Sequence, residues 1–164
     1  MEDFKQALAK KAEEAEESLE MRFDRKFDAP DIIVSAMRYS VCAGGKCLRP
    51  VLMRETMRAL GDDPEKIRSL ADAIEMIHTY SLIHDDLPAM DDDDTRRGKP
   101  TNHIVYGEDT AVLAGDALLN LAMETALSGI PDQDPKNYIR AAQILFASSG
   151  VDGMIGGQTA DTIT

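Results

Sequence analysis

An all-α helical bundle is the fold class this sequence predicts. Apolar residues recur at spacings of three and four along almost the whole chain, and sustained alternation with period two is absent. Prolines stand where such runs open, and glycines stand where they close.

The elements follow in order. The first run, residues 2–27, puts Phe4, Leu8, Ala12, Ala15, Leu19, Phe23 and Phe27 on one stripe. Glu13, Glu14, Glu16, Glu17 and Glu20 lie between them as a solvated face. Pro30 opens a run over 30–42 that closes at Gly44-Gly45, and Pro50 opens 50–60, closed by Gly61. Pro64, with Asp63 as its N-cap, opens a strongly apolar run over 64–86. The run 109–128 closes at Gly129. Pro135, with Asp134 as N-cap, opens 135–149, which closes at Gly150, and a last helix opens near residue 152. The one long connection, 88–108, gathers charges and glycines and is read as the functional loop. No repeat or linker divides the chain, so residues 1–164 are read as a single domain.

Composition narrows the partners. The 43% hydrophobic and 29% charged content is that of a soluble globular protein. No apolar run nears the roughly 20 residues of a membrane span, and MEDFKQALAK has no apolar stretch behind a basic one. A cytoplasmic location is expected. Cys42 and Cys47 are five apart and match neither a zinc knuckle nor a CxxC pair, so free thiols are expected. The net charge of −12 argues against nucleic acid or an anionic membrane surface as partner. An anionic substrate needs metal or clustered Lys and Arg to reverse the sign locally.

Both are on offer. Asp85, Asp86, Asp91, Asp92, Asp93 and Asp94 place six carboxylates within ten residues. On composition alone such a run is as readily a solvated segment. Its place at the end of an apolar helix, with Ile67, Leu70, Ala71, Ile74, Ile77 and Leu82 behind it and the breaker Pro88 after it, sets it at the mouth of a core. Oxygen-only ligands favour Mg²⁺ or Ca²⁺. An EF-hand starting at Asp91 fails, because Arg96 and Asn102 fall where Gly and Glu are required. Mg²⁺ shared with a diphosphate fits better, since that ion takes one or two carboxylates plus phosphate oxygens and water.

The cations for a diphosphate are Arg96, Arg97 and Lys99 after the acid run, and Lys46 and Arg49 in Gly44-Gly45-Lys46-Cys47-Leu48-Arg49-Pro50. The two glycines allow close backbone approach to an anion, although taken alone Gly-Gly more readily just ends a helix, with Lys46 and Arg49 facing water. His78 lies seven residues before Asp85, about 10.5 Å along the same helical face. Tyr80 and Ser81 would floor a pocket beneath the metal.

These segments resemble the short-chain trans-isoprenyl diphosphate synthases, the polyprenyl synthetases. The resemblance rests on Gly44–Pro50, Glu75–Lys99, Gly115-Asp116-Ala117-Leu118-Leu119 and Gly156-Gly157-Gln158 through Asp161, in family order. It implies the N-terminal half of the isoprenoid synthase fold and a homodimer. It further implies condensation of isopentenyl diphosphate with an allylic diphosphate (dimethylallyl or geranyl). Asp85 and Asp91 would bind Mg²⁺, with Asp86 in support. Arg96 would contact the allylic diphosphate, and Lys46, Arg49, His78 and Arg97 the isopentenyl diphosphate. Gln158 and Asp161 match a late helix that faces the metal site, with Gln158 counted among the substrate-binding residues. Tyr80 and Ser81 would set product length, with the bulk of Tyr80 implying farnesyl diphosphate, C15.

Two departures stand out. Cys47 occupies a position where the family motif has Arg. Family members also run to nearly twice this length, and the second aspartate-rich motif is not among these residues, so little or no turnover is expected of them alone. A non-catalytic partner subunit that binds prenyl diphosphate is the alternative. A class I terpene cyclase is disfavoured, because Gly44–Arg49 and Arg96-Arg97 provide for a second diphosphate.

Overall fold

The computed structural model describes residues 3–133 and 135–163. Among them run eight α-helices: α1 (Phe4–Met21), α2 (Asp31–Val41), α3 (Leu48–Ala59), α4 (Arg68–Asp85), α5 (Asn102–Tyr106), α6 (Glu108–Ser128), α7 (Lys136–Ser149) and α8 (Met154–Thr162). The expected start of the first helix at residue 2 and the Asp134 cap fall outside the described residues. The all-α bundle is what the spacing predicts.

Helix ends differ from expectation for local reasons. Helix α1 stops at Met21, because the N–H groups of Phe23 and Asp24 turn to the carbonyls of Glu20 (2.9 Å) and Met21 (3.3 Å), tightening the last turn. The apolar stripe continues past it: Phe23 is buried, and Phe27 packs on the core 6.1 Å from it, ring to ring. Helix α3 begins two residues before Pro50, so the proline sits in the first turn, where no N–H is needed. The run from Pro64 opens as a 3-10 turn over Pro64–Ile67, capped by Asp63, which accepts from the Glu65 N–H at 3.0 Å. The long connection is not all loop. It holds β1 (Thr95–Arg96) paired antiparallel with β2 (Lys99–Pro100) and the short α5.

The core is α4 laid on α6. Leu70, Met76 and Ile77 of α4 meet Ala111, Ala114, Leu118, Ala122 and Ala126 of α6, all buried. Alanines on α6 let the axes approach closely, and each buried Leu or Ile stabilises by about 1.5–3 kcal/mol. By length and composition α6 is nonetheless long and apolar enough to cross a membrane, contrary to the expectation that no run nears that size. Its buried side packs on α4. Buried polar groups tie α1 to the same helix: Asp72 accepts from Ser18 Oγ (2.8 Å) and Arg22 Nε (2.8 Å). Helices α2 and α3 flank this pair, α7 touches α4, and α8 follows on α7.

Candidate active site

Helix α4 carries Glu75, His78, Tyr80, Ser81, His84 and Asp85, with Asp86 as its C-cap. The acid run is folded back onto the end of this helix. The N–H groups of Asp91, Asp92 and Asp93 donate to the carbonyls of Asp85 (2.8 Å), Leu87 (3.2 Å) and Asp86 (3.2 Å), groups the helix leaves open. Asp92 takes a left-handed conformation, φ 55°, to do so. A solvated tail is not what the segment forms.

Its carboxylates differ in their surroundings. Asp86 is 3% exposed and accepts from Arg96 Nε at 2.8 and 3.0 Å and from Arg96 Nη2 at 2.6 Å. That bond, ahead of burial, which opposes it, raises the pKa of the guanidinium. Asp86 therefore faces Arg96 on β1. Asp85 is half-buried; burial pushes its carboxyl up, the charge of Asp91 adds to this, and Arg96 opposes it. A carboxyl crowded by a second one at a cavity mouth is the setting a cation relieves. The two are oxygen donors, and Mg²⁺ completes its shell with phosphate oxygens and water, so Asp85 and Asp91 fit that ion. Among the described residues no group of three or more His, Cys, Asp or Glu could hold a metal by itself.

Beneath Asp85 opens a cavity of about 430 Å³ between α4 and α8. Tyr80, Ser81 and His84 form one wall, Ile155, Gln158 and Thr159 the other, and Met90 closes it from the acid loop. Tyr80 is buried, its ring edge-on to His84 at 5.8 Å. His84 Nε2 lies 3.0 Å from the carbonyl of Val112, over Gly115, where a β-carbon would collide with the imidazole. Ser81 Oγ donates to the His78 carbonyl at 2.8 Å. Gln158 is thus in the wall, whereas Asp161 is exposed near the end of α8 and lines none of these cavities.

A second cavity, about 520 Å³, is bordered by Lys46, Cys47, Arg49, Glu75, His78 and Arg97. Gly44 has φ 81°, and its carbonyl accepts from Arg97 Nη1. A β-carbon on Gly45 would stand 2.6 Å from that nitrogen. The close approach that Gly44-Gly45 permits is therefore made by Arg97. Burial, then Arg49, Arg97 and Arg96, lower the pKa of His78 to about 4, so its ring is neutral near pH 7. Cys47 is buried with φ 40°, its thiol pushed up to about 12, by burial first and then by Glu75. It is no reactive thiolate.

The two cavities both border α4. A smaller one of about 160 Å³ between them shares Arg49 and His78 with the basic side and Met154 with the apolar side. His78 and Asp85, placed on one face by spacing, thus border different cavities.

Residues 30–164 match the polyprenyl synthetase family. The chain belongs to it. A farnesyl diphosphate synthase of Geobacillus stearothermophilus is 49% identical over 150 residues, 90% of this chain and 50% of that protein. A chloroplastic geranylgeranyl pyrophosphate synthase of Capsicum annuum is 51% identical over 132 residues, 80% of this chain and 36% of that protein. The crystal structure of an FPP/GFPP synthase from Zymomonas mobilis superposes with a TM-score of 0.89 at 41% identity, covering 97% of this chain and 57% of that one. The chain spans about half the length of the curated relatives it matches, or less.

The helices of this family member are those of the isoprenoid synthase fold. Spacing and motif reached most of the basic cavity, but of the apolar one only Tyr80, Ser81, Asp85 and Gln158; Glu75 of the former and His84, Met90, Met154, Ile155 and Thr159 of the latter were not singled out. Glu75 had a signal: an acid inside an apolar helix, one turn before His78. The others carry no such signal, and only the cavity that α8 and the acid loop form with α4 reveals them.

Proposed function

We propose that this polyprenyl synthetase is a prenyltransferase that condenses isopentenyl diphosphate with dimethylallyl or geranyl diphosphate to give farnesyl diphosphate. The observation that carries it is that one helix borders both an acid-mouthed apolar cavity and a basic cavity. Asp85 and Asp91 would hold Mg²⁺ against the allylic diphosphate, with Asp86 keeping Arg96 beside them. Bound Mg²⁺ would offset the charge of the leaving diphosphate and so ease ionisation of the allylic C–O bond. Lys46, Arg49 and Arg97 hold the second diphosphate by charge, and neutral His78 adds a hydrogen bond. Tyr80, Ser81 and the α8 wall line the hydrocarbon tail and keep water from it. The homodimer and a cytoplasmic location belong to the same reading.

The test is condensation of labelled isopentenyl and geranyl diphosphates with Mg²⁺, with product length read by chromatography. A protein of its relatives' length should give C15; mainly C20 product would refute the length assignment. The 164 residues alone should bind geranyl diphosphate in a Mg²⁺-dependent way with little or no turnover. Asp85→Asn should abolish the Mg²⁺ dependence.

A further inference from the structure

Glu75 is out of place by charge. It is 6% exposed and borders the basic cavity, and its Oε2 is sealed from solvent with no hydrogen-bond partner. A buried carboxylate oxygen left without a donor is costly. The site reading gives Glu75 no role, since an acid beside an anion pocket should weaken it. What holds it there is a balance. Burial favours the neutral acid, while Arg49 from α3 and Arg97 from the hairpin favour the carboxylate; Glu16 of α1 opposes them. Lys46 and Cys47 of the loop border the same cavity, and His78, one turn along α4, stays neutral near pH 7.

An anion entering this cavity changes one side of that balance. It offsets the guanidinium charges and adds its own negative potential, and burial of Glu75 remains. We propose that the basic cavity takes up its anion together with one proton from solvent, and that the carboxyl of Glu75 receives it. This rests on the reading of the cavity as a diphosphate site. As a neutral acid Glu75 no longer repels the ligand, and its buried oxygen becomes an O–H donor. The pocket would then prefer its ligand at lower pH even where the ligand's own charge is constant.

Sulfate is the probe, because its charge does not change across the working range. Titration calorimetry of the 164-residue protein in two buffers of different protonation enthalpy counts the protons. The expected result is uptake approaching one proton per sulfate, with affinity falling by up to about tenfold per pH unit above neutrality. Glu75→Gln should abolish the uptake and flatten the pH profile. His78→Asn should weaken sulfate binding at every pH alike and leave the proton count and the slope of the pH profile in place. Uptake that survives in Glu75→Gln, or is lost in His78→Asn, would overturn the assignment while leaving the anion site standing. If neither sulfate nor inorganic diphosphate binds at any pH, or if Arg49→Gln leaves binding unchanged, the diphosphate reading falls and this inference with it.

Discussion

Asp86 shows what a residue type alone does not say. Within a run of six acids its type does not set it apart, and the resemblance gives it only a supporting place; in the fold it is the buried partner of Arg96. Removing one member of such a pair leaves the other uncompensated. Arg96→Ala should lower stability by about 1–3 kcal/mol, a range discounted because Arg96 is partly exposed. Adding Asp86→Asn should return part of that loss, as read from urea midpoints. If the double variant is no more stable than the single one, Asp86 is not held by Arg96. His78 gives a pH signature of its own. Its pKa falls from 6.5 in the unfolded chain to about 4 in the fold. The unfolded chain therefore binds more protons in that window, and stability should drop as pH falls through it, with nothing lost above 6.5. The drop should be on the order of 1 kcal/mol once solvent screening is discounted. Against pH 7, His78→Asn should show a smaller loss at pH 4 than the parent.

Elements were legible to different degrees, and the reason is how much sequence each one occupies. Long helices leave many repeats of their period, so α4 and α6 were plain. The two-residue strands flanking Arg97-Gly98 leave none, and the hairpin was invisible beforehand. Its turn is set by backbone sign: Arg97 and Gly98 have φ 55° and 77°, as tight hairpins require. The conformation aims the Arg97 guanidinium at Gly44 and the basic cavity. Gly98→Ala has open space for its methyl, so any effect comes from the backbone, about 1 kcal/mol. The expected outcome is weaker binding of inorganic diphosphate with unchanged helix content by circular dichroism. Equal affinity would mean that the turn does not place Arg97. Phe23 and Phe27 misled in the other direction, because a stripe can continue through a turn after the helix has stopped.

At the scale of the whole molecule, apolar surface remains outside the core. Ile104 and Val105 of α5 and Val112 and Leu113 of α6 are all exposed, Leu113 at 58%, and such patches favour association. The proposed homodimer predicts a mass that rises with concentration in size-exclusion chromatography with light scattering. Leu113→Glu should shift it toward monomer, and a monomer at every concentration would exclude the dimer. The two charged mouths, by contrast, are set by one rigid rod. Seven residues of α4 separate His78 from Asp85, nearly two full turns, so the bearing of one mouth relative to the other is a matter of phase. One residue inserted between them would swing Asp85 by about 100° around the axis, so that the acid end would face another way with every functional residue type still present. A substitution inside this stretch leaves that phase intact; a change in its count does not.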